Sequence, residues 1–425
     1  MVISDLFYDL SNITELKDLI YKDNITTDLN ILNKHSSYSS INKQSYQVIR
    51  YNKDVLNQSL IPTYGLCRSI ILNKNNRIVS FSPPKSIPSE DFITNYKATD
   101  QNIIAEEFIE GTMINVFWDP DEHNWEISTR NTVGAETKFY QDGYGKTFRT
   151  MFLEALEVSN LKLDDLTKEL CYSFVLQHPE NRIVVPFYKP QLYLVAAYCF
   201  IQGKTSDLLI VHPCIMSKLK DSIVFKNTSI NFPEIYSLTS YSSLIEKYAS
   251  MNTPYNIMGL VLHNLKTGER CKIRNPVYEQ VRQLKGNQPK LQYQYLVLRQ
   301  ENRVQEYLTY YPEVKQLFSQ FRDQLHLFTK TLSSNYISCY IKKEKPLLEY
   351  PEQYRTHMFH LHQLYMNEYS KKVLINLSVV INYVNNLHPS QQMFSLNYSL
   401  RKRYIDFKTK EPIVNIINNE NNDSC

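Results

Sequence analysis

The chain has 425 residues, of which 43% are hydrophobic, and this is enough for an ample core and for two or three domains. Its 47 basic and 43 acidic side chains leave a net charge of only +4, so a polyanion-binding surface must come from local clustering. The 7 scattered cysteines form no CxxC pair, which argues against a disulfide framework, and no apolar run approaches the roughly 20 residues of a membrane span. We therefore expect an intracellular protein, cytoplasmic or nuclear, with no membrane partner.

The predicted elements, in chain order, divide the sequence into four segments. Residues 1–60 combine a helical start with a polar stretch, which predicts a helical or irregular extension. Residues 61–300 alternate strand-like runs such as TMINVFWD and CYSFVLQ with Asn, Asp, Gly and Pro breakers, which predicts an α+β domain built on antiparallel sheets. Helical periodicity predicts a helical domain over 301–410, and the polar composition of 411–425 predicts a disordered tail.

The stretch EEFIEGTMINVF raises a question of its own, because it places Glu110 directly before Gly111 between two apolar runs. Taken alone, the pattern predicts a turn between two strands, with the glycine at positive φ and the acid in water. The alternative is a site where the backbone approaches a ligand closely beside an acid. Both interpretations stay open on these residues alone.

Five segments occur in the order seen in the nucleotidyltransferase superfamily of RNA ligases, DNA ligases and capping enzymes. They are EEFIEGTMI, WEISTRNT, SFVLQHPENRIVVPF, IMGLVLHN and CKIRNPVYEQV, and the run CRSIILNKNNRIVSFSPPKSIPSEDF precedes them. Over 61–300 this set resembles phage-type RNA ligases, and the whole chain resembles ligase-like proteins of large DNA viruses. The resemblance implies a ligase-type nucleotidyltransferase domain followed by an α-helical domain, and a host-cytoplasm or virion location if the protein is viral.

Three positions depart from what the resemblance implies. Phe108 stands where these ligases carry the lysine that attacks the α-phosphorus of ATP, and a phenyl ring cannot act as a nucleophile. Val175 and Met258 stand where two glutamates would hold the ribose hydroxyls and the divalent ion, which apolar side chains cannot do. We therefore predict that adenylation at this site is lost.

The rest of the implied nucleotide site is still present in part. Of an expected Lys-x-Lys pair, Lys272 remains and Arg274 replaces the second lysine with a cation of different geometry. We predict no metal site, and ATP and magnesium are implied as cofactors only if adenylation persists. The predicted nucleotide-binding remnant consists of Glu110, Gly111, Arg130, Lys272 and Arg274.

Basic residues interleaved with tyrosines in CKIRNPVYEQVRQLKGNQPKLQYQY predict an RNA-binding surface, because cations neutralise phosphates and tyrosine rings stack on unpaired bases. The alternative is a solvated helix face with ordinary core tyrosines. The cluster SLRKRYIDFKTK is a second phosphate-binding candidate or a nuclear-targeting signal. The candidate RNA-binding residues are Lys272, Arg274, Tyr278, Arg282, Lys285, Lys290, Arg401, Lys402 and Arg403.

These observations support three hypotheses. The first is a ligase-like protein that has lost adenylation and binds RNA or a protein partner in RNA processing. The second is an active ATP-dependent RNA ligase with a relocated nucleophile, for which Lys85 in SFSPPKS is the candidate. The third is a viral structural or assembly protein that binds another protein, since a fold does not determine a function.

Overall fold

The structure is a computed structural model that describes residues 3–21, 31–138, 145–203, 208–367 and 374–403. The chain forms two compact units, Met1–Pro289 and Lys290–Cys425. Sequence analysis placed the beginning of the helical domain at residue 301, so the second unit begins eleven residues earlier than that prediction. The predicted disordered tail, 411–425, lies outside the described residues.

The strands of the described chain all belong to the first unit and form three sheets. The sheets have the strand orders β1-β11-β10-β9-β7-β8, β12-β6-β13-β14 and β2-β3-β4-β5, and every neighbouring pair of strands within them is antiparallel. The strands are β1 Tyr8–Asp9, β2 Leu32–Ser39, β3 Gln44–Tyr51, β4 Ile70–Leu72, β5 Ile78–Phe81, β6 Ile103–Glu107, β7 Thr112–Asp119, β8 Asn124–Ser128, β9 Leu170–Gln177, β10 Gln191–Gln202, β11 Leu209–Pro213, β12 Ile235–Tyr236, β13 Gly259–Asn264 and β14 Arg270–Arg274.

Helices occur in both units, and the described part of the second unit contains helices without strands. The first unit contains α1 Thr14–Tyr21, α2 Ile61–Tyr64, α3 Ser89–Asn95, α4 Phe148–Val158, α5 Met216–Lys220, α6 Ile223–Lys226, α7 Tyr241–Tyr248 and α8 Pro276–Lys285. The second contains α9 Leu291–Gln300, α10 Val304–Tyr310, α11 Lys315–Tyr336, α12 Glu352–Asn367, α13 Leu377–Asn386 and α14 Pro389–Leu396. The prediction of an α+β region with antiparallel sheets followed by helices is confirmed.

The polar stretch inside 1–60 is not irregular, which corrects the sequence-based expectation. It forms the hairpin of β2 and β3, whose register runs from the Leu32–Tyr51 pair to the Ser39–Gln44 pair. The sequence of β2 shows little apolar alternation, because some of its buried side chains are polar and form hydrogen bonds inside the fold. The buried carboxylate of Glu126 accepts a hydrogen bond from the Ser39 hydroxyl at 2.6 Å.

Three groups of buried side chains support the sheets of the first unit. Val48 and Phe81 belong to the cluster under the N-terminal hairpin, whereas Phe152 of α4 packs with Phe174 of β9 in the cluster of the six-stranded sheet. Leu260 belongs to a third, smaller cluster under β6, β13 and β14. Polar and charged residues at the edges of these three cores surround the cleft described below.

Candidate functional site: a cationic cleft

A cleft of about 620 Å³ is lined by residues from all three sheets. Arg50 of β3, Val175 of β9 and Lys272 of β14 represent the three sheets in its lining. The cleft brings together seven cationic side chains from distant parts of the sequence. They are Arg50, Lys53, Arg68, Arg130, Arg270, Lys272 and Arg274.

Three of these cations form a row on one face of β14. Side chains alternate between the two faces of a strand, so Arg270, Lys272 and Arg274 project to the same side. Lys272 pairs in register with Val261 of β13, which also lines the cleft. We call these three residues the cationic row, and the sequence RCKIR encodes it through its period of two.

Lys272 is the central residue of the cationic row and carries an amine without a charge partner. Its Nζ lies 4.8 Å from the ring centroid of Phe108, and it forms no hydrogen bond or ion pair with the residues that the structure describes. Burial, followed by repulsion from Arg270, Arg68 and Arg274, lowers the pKa of Lys272 to about 6. At neutral pH, therefore, most of this amine is uncharged in the free protein.

Backbone carbonyls hold two arginines of the cleft. Arg270 donates from Nε to the Pro84 carbonyl at 3.0 Å, and Arg68 donates to the Pro83 carbonyl at 3.4 Å. Burial, followed by repulsion from Arg270, lowers the pKa of Arg68 to about 10. The two prolines of the run SFSPP thus have a local role, because their carbonyl oxygens accept hydrogen bonds from these arginines and fix them at the edge of the cleft.

Arg130, a predicted member of the nucleotide site, also lines the cleft. Its guanidinium carbon lies 5.3 Å from the ring centroid of Tyr51, and its buried Nε forms no hydrogen bond within the described part of the chain. A guanidinium with an unused donor in a cleft has bonding capacity for an anionic ligand. The role of Arg130 in nucleotide binding stays a prediction.

A second set of lining residues is apolar, and we call it the apolar lining: Phe108, Met113, Val175, Val195 and Met258. It includes all three positions at which the resemblance implied a lysine or a glutamate. The structure therefore brings the three replaced side chains into one cleft with Arg130, Lys272 and Arg274. The resemblance to RNA ligases implied that these positions share one site, and nucleotide binding there stays a prediction.

Two glycines allow the backbone beside the apolar lining to pass close to its neighbours. Gly111 has φ +149°, and a Cβ there would lie 2.5 Å from the Leu176 carbonyl oxygen. Gly259 has φ +131°, and a Cβ there would lie 2.1 Å from the Ile273 carbonyl oxygen. Any other residue at either position requires a backbone shift. The glycine in EEFIEGTMINVF thus permits close backbone contact with β9.

Glu110 has a structural environment rather than an open one. Its side chain is buried, and its carboxylate accepts the backbone N–H groups of Val184 and Val185, each at 3.0 Å from Oε1. Burial raises the pKa of Glu110 in spite of these bonds. The strands β6 and β7 on either side belong to different sheets, so the segment crosses between sheets and is not the hairpin turn that the local pattern predicts.

Two acidic residues, Glu106 and Glu107, also line the cleft. Glu106 of β6 lies 3.2 Å from the Nε2 of His263, and both side chains line the cleft. Burial raises the pKa of Glu107, which lines it as well. Among the described residues, no group of three or more His, Cys, Asp or Glu side chains is arranged to hold a metal ion.

Several predicted RNA-binding residues near α8 form contacts within the protein. Tyr278 is 1% exposed, so its ring is a core residue and does not present a face to a base, contrary to the expectation. Arg274 and Arg282 both pair with Glu279, at 2.7 and 3.3 Å. The Lys285 amine donates to the Arg182 carbonyl.

The remaining predicted residues lie outside the cleft lining. Lys85 is exposed, and its Nζ is 3.5 Å from the Ser86 carbonyl oxygen. In the second unit, Lys402 pairs with Glu352 at 3.0 Å. A separate group of cations in that unit is exposed, and its predicted role stays a prediction: Lys290, Arg401 and Arg403. The neighbouring Lys408 and Lys410 lie outside the described residues.

Sequence analysis missed four cations of the cleft. Arg68 and Arg270 had a usable signal, because Arg68 begins a ligase-like run and Arg270 lies two residues before Lys272 on the same strand. For Arg50 and Lys53 the sequence contains no pattern that indicates a place in the cleft. They come from the segment predicted as an extension, which reaches the cleft through contacts with distant residues: β3 pairs with β4, and Arg50 donates to Asn131 of the lining.

Comparisons with known proteins support the resemblance to RNA ligases. No family model matches the chain. A segment of 96 residues is 29% identical to the RNA ligase of Rhodothermus phage RM378, and the match covers 21% of this chain and 21% of that protein. The chain thus spans about a fifth of the length of the curated relative that it matches.

Solved structures of RNA ligases are also similar to this one. An RNA ligase of Naegleria gruberi, solved with AMP and Mn, is 12% identical over 47% of this chain and 57% of that chain, with a TM-score of 0.31. An archaeal ATP-dependent RNA ligase is 9% identical over 68% of this chain and 72% of that chain, with a TM-score of 0.38. The sequence match to the phage RNA ligase agrees with the resemblance that the five motifs carry. No helix in the described ranges is long and apolar enough to span a membrane.

Proposed function

We propose that this protein binds RNA through phosphate groups held in the cationic cleft and has lost the adenylation that a lysine at residue 108 would perform. One observation carries the proposal. Phe108, Val175 and Met258 line the same cleft as the cationic row, so apolar side chains stand at the expected lysine and glutamate positions while groups for phosphate contact are present beside them.

The charge arrangement favours phosphate as the ligand group. Arg130, Arg270 and Arg274 present guanidinium groups, which neutralise phosphates directly and bond their oxygens. Lys272 adds an amine donor beside them. The apolar lining offers contact area for a sugar edge or a base, and a small number of polar groups beside apolar surface is typical of ligand clefts. Direct contact by cations requires no metal ion.

The test is equilibrium binding of single-stranded RNA with a 5′-monophosphate, compared with the same RNA ending in a 5′-hydroxyl. We expect tighter binding of the 5′-monophosphate and a fall in affinity with salt, because bound phosphates release counterions. Replacement of Arg130 or Arg270 by alanine is expected to weaken binding about tenfold and to reduce the salt slope by about one.

The matched control is Lys74→Ala. Lys74 is an exposed cation of the same unit, pairs with Glu122, and does not line the cleft. Its removal should leave RNA affinity within about twofold. The proposal would be contradicted if the 5′-monophosphate RNA and the 5′-hydroxyl RNA bind equally. It would also be contradicted if the control variant loses as much affinity as the cleft variants.

A further inference from the structure

We infer that Lys272 is a nucleophile toward the α-phosphorus of ATP, so that the cleft forms a lysyl adenylate at residue 272 instead of residue 108. The inference rests on the proposed binding of phosphate groups in the cleft and goes beyond it by assigning a covalent step. It replaces Lys85 with Lys272 as the relocated nucleophile.

The position of the amine supports the inference. The Nζ of Lys272 lies 4.8 Å from the ring centroid of Phe108, which is the residue at the expected nucleophile position. An amine delivered from β14 therefore reaches the same part of the cleft as one delivered from residue 108. Lys85, in contrast, is exposed and does not line the cleft.

The protonation state of Lys272 also fits this role. An amine attacks phosphorus only when its lone pair is free, and desolvation beside other cations is a recognised way to free it. Arg270 and Arg274 flank Lys272 on β14, and Arg68 and Lys85 add further positive charge. These four charges and burial keep the amine deprotonated near neutral pH.

No acid opposes this effect at bonding distance within the described residues. The neighbouring β6 carries two carboxylates that line the cleft, Glu106 and Glu107. Glu106 lies 3.2 Å from the His263 imidazole of β13, and burial raises the pKa of Glu107. Glu106 thus has a partner of its own, and the Lys272 amine forms no ion pair with it. On β14 itself, the flanking residues Arg270 and Arg274 are both cations.

The flanking arginines are placed to stabilise the charge that develops on the phosphorus oxygens. Fixed donors aimed at developing negative charge lower the barrier without reorganising during the reaction. Arg270 is anchored by the carbonyls of Pro83 and Pro84, so its guanidinium is held in one position. Arg274 lies with its guanidinium carbon 5.8 Å from the Phe108 ring centroid, on the same side of the strand as the amine.

The covalent step balances with ATP as the only co-reactant. A bond forms between the Lys272 Nζ and the α-phosphorus, and the bond from that phosphorus to the oxygen bridging to the β-phosphate breaks. Pyrophosphate leaves with the electron pair of the broken bond. The nitrogen then loses one proton to water, which gives a phosphoramidate between Lys272 and AMP.

The experiment incubates the full-length protein with α-labelled ATP and either magnesium or manganese, followed by denaturing electrophoresis and peptide mass spectrometry. We expect a label that survives denaturation, is released by acid as a phosphoramidate is, and maps to Lys272. Lys272→Arg keeps a basic side chain of similar length, but its guanidinium stays protonated at neutral pH and cannot attack phosphorus. This variant should therefore lose at least 100-fold of the label while still binding ATP. Lys74→Arg, at an exposed lysine outside the cleft lining, is the matched control and should be labelled like the parent protein.

The outcomes separate this inference from the proposed function. Label that persists in Lys272→Arg, or maps to another residue, overturns the inference. Absence of label in parent protein that binds ATP and 5′-phosphorylated RNA also overturns it, and leaves the proposed function in place. Absence of both label and binding, in protein with a cooperative unfolding transition, contradicts both.

Discussion

The cationic row and the apolar lining are two regions of one cleft with opposite chemistry. The row lies on β14 of a four-stranded sheet, whereas Val175 and Val195 of the lining lie on β9 and β10 of the six-stranded sheet. The row carries charge that attracts phosphates, and the lining lacks the carboxylates that would hold a divalent ion. If the cleft binds phosphate as proposed, the difference teaches that groups for phosphate recognition and groups for metal binding can change separately, because different strands supply them.

Both regions depend on the close packing of the backbone at Gly259. Of the variants considered, Gly259→Ala should lower the stability of the protein most. A Cβ at residue 259 would lie 2.1 Å from the Ile273 carbonyl oxygen, next to the cationic row, at a φ of +131°. We expect a loss of about 3 kcal/mol in the free energy of unfolding, measured by urea titration. Met251→Ala, on an exposed side chain of the preceding loop, should change it by less than about 0.5 kcal/mol.

The cationic row should cost stability, and Lys272→Met tests this. The pKa of Lys272 is about 6 in the folded protein, below its ordinary value, so the unfolded chain binds more protons between pH 6 and 10. The contribution of Lys272 to stability therefore rises with pH across that window. We expect Lys272→Met to stabilise the protein by about 1–2 kcal/mol at pH 7, with the gain shrinking towards pH 10. A gain that is independent of pH would contradict this explanation.

A charge can be introduced into the uncharged apolar lining at residue 258. Met258→Glu adds a carboxylate to the cleft, whereas Met258→Gln adds a side chain of the same shape without charge. We expect the glutamate to weaken RNA binding about tenfold relative to the glutamine, because one negative charge repels the bound phosphate. If the two variants bind RNA equally, the ligand does not occupy this part of the cleft.

The smallest expected effect concerns the end of the cationic row. Glu279 accepts from Arg274 at 2.7 Å and pairs with Arg282 at 3.3 Å, and these side chains are partly exposed. Glu279→Gln should release both arginines and strengthen RNA binding about two- to threefold at low salt, since exposed pairs are weak. At high salt the difference should vanish, which direct titration at two ionic strengths can measure.

The fold was largely predictable because most strands carry their own signal. The run TMINVFWD matches β7 residue for residue, and CYSFVLQ matches all but the first residue of β9. The hairpin of β2 and β3 was not predictable, because its polar residues are satisfied by distant partners such as Glu126. Period-two patterns report burial of one face, and they fail where a buried face is polar.

The residues of the cleft were predictable only where they fall in a segment that resembles a ligase motif. Motif order placed Phe108, Val175 and Met258 in one site, and all three line the cleft. Composition misled at Tyr278, since a tyrosine beside cations gives no indication of whether its ring is buried. The cations of the N-terminal hairpin were missed because pairing between distant strands leaves no local pattern.

The hairpin of β2 and β3 has a practical consequence for dissecting the protein. A chain shortened to begin at residue 61, where the ligase resemblance starts, would lose Arg50 and Lys53 from the cleft. It would also expose the hydrogen-bonding edge of β4 that β3 covers, and uncovered edges pair with other chains. Aggregation of such a fragment would therefore report a missing edge strand, not an inactive protein.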